Sequence, residues 1–227
     1  MKYEYLLFNI IVLSGPVFFG SFKKYYFWNY SKEAFRSIFI TAIPFLIWDS
    51  IVSNRHWFFA EEYTIGFRIL NLPIEEILFF ITVPYACLFS WEMVKRHKIP
   101  SLILSKKISG FIFIVIFTGS IISLINGKEY TTLAGLAFLS ALLTDKIWGA
   151  FIFDNSKFLF FFVLISLFTL IFNGYLTWRP IVTYDATYQL DFRIFTIPIE
   201  DFFFGYALLI LCTSIYEKLL NRNIHTD

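Results

Sequence analysis

Phe67-Arg68-Ile69-Leu70-Asn71-Leu72-Pro73-Ile74-Glu75-Glu76 is the stretch whose reading decides this fold. It returns 125 residues later, without a gap, as Phe192-Arg193-Ile194-Phe195-Thr196-Ile197-Pro198-Ile199-Glu200-Asp201. Each copy sets two adjacent carboxylates at the head of a long apolar run. A carboxylate beside lipid is costly, so a pair placed there twice calls for a functional explanation.

The rest of the chain is consistent with lipid. Of 227 residues, 58% are hydrophobic, 22% aromatic and only 16% charged. Soluble domains carry about a quarter charged residues. Several runs approach the roughly 20 apolar residues that cross a bilayer. The reading is an all-α polytopic membrane protein. The net charge of +2 comes from basic residues between the apolar runs, with no stripe suited to nucleic acid. Cys87 and Cys212 sit inside apolar runs, at no metal spacing, and read as packing residues. The first run, Tyr5 to Gly20, lacks a small-x-small cleavage site and reads as a retained helix.

Hydropathy and punctuation predict seven helices: about Glu4 to Gly20, Ala34 to Val52, Pro73 to Val94, Ile108 to Ile125, Tyr130 to Leu143, Lys157 to Leu176 and Pro198 to Leu220. A basic loop is expected over 95–107, and Gly15-Pro16 suggests a kink in the first helix. The 125-residue shift carries the first three helices onto the last three. It also pairs Tyr63 with Tyr188, Cys87 with Cys212 and Glu92 with Glu217. The expected organisation is therefore a three-helix repeat over 1–107, a linker helix over 108–127 and a second repeat over 128–227. The odd crossing lets both repeats run parallel, related by an axis along the membrane normal. Both carboxylate pairs then lie at similar depth. Six of the 19 Lys and Arg fall on the amino-terminal side, and the other 13 on the opposite side. The positive-inside rule puts the amino terminus outside and the carboxyl terminus in the cytoplasm of a cell-membrane protein.

Pro73 and Pro198 suit a first helical turn, where a missing N–H costs nothing. An acid two residues on can bond free backbone N–H groups and complement the helix dipole. That accounts for one acid per helix. It accounts poorly for a second, because Glu76 and Asp201 point about 100° further round. The functional alternative is four acids in one apolar cleft, one protonated while another stays ionised, as acid–base work at neutral pH requires. Glu75 and Glu200 are the expected principal acid and base, with Glu76 and Asp201 assisting. Phe79 and Phe204 lie on the same helix faces and could steady a carbocation. Arg68 and Arg193 either orient the carboxylates or snorkel to the interface. Asp49 either joins the acids or sits at the membrane boundary.

Glycine-rich dinucleotide and phosphate loops are missing, as is a G-x-S-x-G elbow. His56, His97 and His225 are too scattered for a di-iron cluster. Neither a metal nor another cofactor is expected. Acid–base chemistry on an apolar substrate is what survives.

At Pro73-Ile74-Glu75-Glu76 and Pro198-Ile199-Glu200-Asp201 the chain resembles the membrane-integral lycopene cyclases built from two small homologous halves. In some bacteria and archaea those halves are separate subunits; in fungi they are fused and joined to phytoene synthase. The likeness covers the repeat, the linker helix and nearly all of the chain. It implies redox-neutral closure of the ψ-ends of lycopene to β-ionone rings, without flavin. It also implies a bilayer setting and, as partners, other enzymes of the carotenoid pathway. Rivals are a cyclase of other substrate length or of ε- or γ-ring type, a proton- or cation-coupled transporter, and a non-enzymatic carotenoid-binding protein.

Overall fold

The computed structural model describes residues 2–98 and 106–224. Its helices are α1 (Glu4–Gly20), α2 (Ser31–Val52), α3 (Ile74–Arg96), α4 (Lys106–Ile125), α5 (Glu129–Ile147), α6 (Phe158–Trp178) and α7 (Ile199–Ile224). Five have the length and apolarity of a membrane span; α1 is a shorter apolar helix. Bulky side chains of α4, such as Phe111, Ile114 and Ile125, are largely exposed, as a lipid-facing surface requires. This is an all-α polytopic membrane protein. Most of the basic loop expected over 95–107 lies outside the described residues.

Several boundaries differ from the sequence reading. Helix α2 starts at Ser31, not Ala34, after a 3₁₀ turn over Phe27–Tyr30. Its polar first turn carries Glu33, which suits the positive end of the helix dipole. Helix α5 extends to Ile147 because the buried Asp145 accepts the N–H groups of Ile152 and Phe153 at 2.9 and 3.1 Å, holding the following loop. Helices α3 and α7 begin one residue after their prolines. Pro73 and Pro198 instead end short hairpins, β2 (Arg68–Ile69) with β3 (Leu72–Pro73), and β5 (Arg193–Ile194) with β6 (Ile197–Pro198). Leu70 and Asn71 both take positive φ, 50° and 69°, as a tight two-residue turn demands. Gly127 has φ of 71° just beyond the end of α4.

Strands β1 (Trp57–Phe59) and β4 (Val182–Tyr184) are equivalent under the 125-residue shift, and they pair antiparallel with each other. Phe58 faces its own counterpart, Thr183. Like-for-like pairing of this kind marks a two-fold axis, as at the centre of a symmetric dimer. The other end of the molecule repeats the signature. Trp91 Nε1 donates to Glu217 at 2.7 Å, and Tyr216 OH donates to Glu92 at 3.0 Å. Lys95 Nζ bridges the two glutamates at 2.6 and 2.5 Å. Between these ends α3 and α7 pack together, with α1 against α3 and α5 against α7. Helix α4 lies on α5, where Gly135 permits close approach; a methyl there would stand 2.2 Å from Ser120 Oγ.

The halves are also cross-tied beside the β1–β4 ribbon. Glu4, at the start of α1, accepts from Arg179 Nε and Tyr175 OH, each at 2.7 Å, at the end of α6. Its counterpart Glu129, at the start of α5, accepts from Arg55 after α2, and lies 3.1 Å from His56 Nε2. Each repeat thus clasps the other's second helix.

Candidate active site

Beneath the β1–β4 ribbon lies a cavity of about 350 Å³. Its walls are mostly apolar, but Asp49, Glu76 and Asp201 enter it from α2, α3 and α7. Hairpins β2–β3 and β5–β6 set this arrangement. Each fixes the start of its helix, through Ile74 N–H to Phe67 O at 3.0 Å and Ile199 N–H to Phe192 O at 2.9 Å. The second residue of each helix then turns back toward the loop, and the third turns inward, about 100° away.

The two members of each acid pair have different surroundings. Glu75 accepts the N–H of Ile65 at 2.7 Å, and Glu200 accepts that of Leu190 at 2.8 Å. Glu200 also accepts from the Thr131 hydroxyl. Both side chains are fully buried, and neither lines the cavity. Each holds the loop ahead of its own hairpin. Glu76 and Asp201 do line the cavity, 8% exposed apiece.

Asp201 accepts three hydrogen bonds, from Tyr130 OH at 2.6 Å, Tyr184 OH at 2.6 Å and Asn173 Nδ2 at 2.8 Å. Three donors converging on one carboxylate stabilise its ionised form. Burial and the adjacent Asp201 charge push the Tyr184 phenol well above the ordinary tyrosine range, so it remains a donor. Asn173 reaches Asp201 from a π-helical turn, Thr169–Asn173, inside α6. Such a turn re-aims side chains and is frequent at functional sites.

Glu76 has a different environment. Tyr5 OH donates to it, and Asp49 lines the same cavity. Asp49 Oδ1 accepts from Trp57 Nε1 at 2.6 Å, while Oδ2 is buried with no protein partner. Two carboxyls in one apolar cavity disfavour ionising together.

Phe79 and Phe204, equivalent under the repeat, both line the cavity. Phe204 packs edge-on against Trp48 at 4.9 Å and Phe45 at 5.1 Å. Arg68 and Arg193 reach no cavity acid. Their guanidinium groups close their own hairpins, on Asn71 O and Thr196 O, each at 2.9 Å.

Sequence reasoning missed Tyr5, Trp57, Tyr130, Asn173 and Tyr184. Tyr5 and Tyr130 carried a usable signal, since the 125-residue shift maps one onto the other. Trp57, Asn173 and Tyr184 have unlike counterparts, so the repeat could not single them out. Among the described residues no His, Cys, Asp and Glu group is arranged to hold a metal.

Neither a curated protein nor a solved structure matches the chain. The family model described as lycopene cyclase matches twice, over residues 2–94 and 127–219, the same 125-residue offset that relates the two motifs. The chain therefore belongs to the lycopene cyclase family, as a single polypeptide carrying both halves, and its activity is that of a carotenoid cyclase.

Proposed function

We propose that this protein is a lycopene β-cyclase in which ring closure occurs in the cavity beneath the β1–β4 ribbon. The observation that carries the reading is the contrast between the inward acids. Two carboxyls, Asp49 and Glu76, line one apolar chamber with a triply hydrogen-bonded carboxylate, Asp201. The reading assigns a protonated state to the first two and an ionised state to Asp201, the two states that acid–base catalysis at neutral pH needs.

In this mechanism the Asp49–Glu76 pair gives its proton to the terminal double bond of a ψ-end. The alkene electrons form the new C–H bond and leave a tertiary cation. The neighbouring internal double bond attacks that cation and closes a six-membered ring. Asp201 then takes a proton from the ring, and the C–H electrons become the ring double bond. One proton passes from the pair to Asp201 and must return before the next turnover. No electrons are exchanged, so the reaction asks for no redox cofactor. Phe79 and Phe204 line the chamber where aromatic rings can steady the cationic stage, and the apolar walls keep water from capturing it. Glu76 and Asp201 thus take the principal roles first expected of Glu75 and Glu200, because the latter are committed to loop backbone. The Lys and Arg distribution supports an orientation with the amino terminus outside, the chamber toward the outer leaflet and the carboxyl terminus cytoplasmic.

The test is expression in lycopene-accumulating bacteria, with pigments separated by chromatography. The expected product carries β-rings. Unchanged lycopene from well-expressed wild-type protein rejects the reading, and rings with the double bond elsewhere reject its β-specificity.

A further inference from the structure

The chamber does not end at the acids. It continues as a slot bounded by α1 and α6, lined along α1 from Tyr5 to Phe19 and on α6 by Phe172 and Phe168. At 1.5 Å per residue, that stretch of α1 covers about 21 Å of depth. Ile11 and Phe19, at its edge, are 55% and 48% exposed, so the slot opens sideways. The pseudo-symmetric position, bounded by α5 and α2, is filled. Phe80 occupies it, 1% exposed, packed with Phe45 and Phe204 at ring distances of 6.5 and 6.3 Å. The residue equivalent to Phe80 in the second half is Gly205, which lines the slot. A methyl on Gly205, or on Gly15 further along, would meet nothing within 4 Å. One missing ring thus opens one of two equivalent seams.

We propose that this slot holds the extended polyene behind the reacting end, entering from the lipid between α1 and α6, so that one end of one substrate is served at a time. The inference rests on the cyclase reading. It commits to a long, rod-like, wholly apolar occupant because the slot is elongated, mostly apolar and continuous with the acids. It also implies that a doubly cyclised product requires the first ring to leave before the second end enters.

The experiment compares Gly205→Phe, Gly15→Phe and the symmetric control Ser140→Phe, the counterpart of Gly15 on an exposed face of α5. Membrane abundance is measured for each, and substrates are lycopene and a shorter acyclic carotene with the same ψ-end. Gly205→Phe, one turn from Asp201, should lower turnover of both at least about tenfold, since even one surplus methylene in a fitted pocket costs that order. Gly15→Phe should penalise lycopene more than the shorter carotene, a selectivity that general misfolding would not produce. Ser140→Phe should behave as wild type. Equal lycopene turnover in Gly15→Phe and wild type, or equal losses in Gly15→Phe and Ser140→Phe, would overturn the slot assignment while leaving the cyclase reading intact. Wild-type protein that forms no rings rejects the cyclase reading and this inference with it.

Discussion

The two halves share one scaffold and differ where they meet the cavity. Tyr5 and Tyr130 are equivalent, and each donates to the inward acid of its own half, Glu76 or Asp201. Around that common core the positions diverge. Asp49 corresponds to Gly174, Trp48 to Asn173, Phe59 to Tyr184 and Phe80 to Gly205. The first half therefore adds a second carboxyl beside its acid, while the second half adds two hydrogen-bond donors and leaves space. Symmetry supplies acids at matched depth, and its local loss gives them different jobs. A perfectly symmetric dimer of halves would hold two acids of one kind and two seams of one kind.

The sharpest way to break this comparison is to neutralise one inward acid at a time. Glu76→Gln and Asp201→Asn should each lower ring formation by about 10²–10⁴, the usual span for a lost general acid or base. Neither variant should keep half the activity, because a single chamber needs both. Two independent half-sites would leave about half the rings in each variant, and chromatographic yield per membrane-bound protein separates the two accounts.

A smaller effect tests the asymmetry itself. Tyr184→Phe removes a donor that only the second half owns. A hydrogen bond to a charged group contributes about 1.5–3 kcal/mol, so turnover should fall by roughly tenfold or more. Phe59→Tyr, the reverse exchange at the equivalent site, should not raise it. Kinetics in membranes checks both.

The outward acids sharpen the contrast within each pair. Glu75→Ala and Glu200→Ala should each cost about 1–3 kcal/mol of stability by stranding a loop N–H, Ile65 or Leu190. Cyclisation per folded molecule should stay near the wild-type value. Thermal unfolding in detergent, paired with specific activity, separates these outcomes.

The smallest effect concerns the cross-ties. Burial holds the His56 imidazole below the ordinary histidine range, although Glu129 beside it acts in the opposite sense; Arg55 and Asp185 also face the ring. The folded chain thus binds this proton less readily than the unfolded chain. Stability contributed here is present above the unfolded value near 6.5 and is lost as pH falls through the window below it. Apparent Tm should drop slightly on acidification, and His56→Gln should flatten that drop.

Much of the fold was legible because it rests on long periodic features. The 125-residue repeat and the apolar runs gave seven helices and the correct pairing of halves. What hydropathy could not carry were the two-residue hairpins, since Leu70-Asn71 at positive φ has no apolar signature. Those hairpins fix how α3 and α7 are turned about their axes, and adjacent helical residues stand about 100° apart. That rotation separates a loop-holding acid from a chamber acid. The motif located the site, but the direction of each carboxylate depended on turn geometry. Asp49 was legible as a candidate. Its place in one cavity with Glu76 depends on how α2 packs against α3, which no linear spacing encodes.

The central claim is that the halves have specialised within one chamber: the Asp49–Glu76 pair lends the proton, and Asp201 reclaims one. Solvent deuterium uptake into recovered acyclic carotene tests this most directly. Membranes containing Asp201→Asn or Glu76→Gln would be incubated with lycopene in heavy water and the linear pigment analysed by mass spectrometry. Asp201→Asn should still protonate and reverse, leaving deuterium in the lycopene, while Glu76→Gln should leave it unlabelled. Label arising in Glu76→Gln and not in Asp201→Asn would contradict the account.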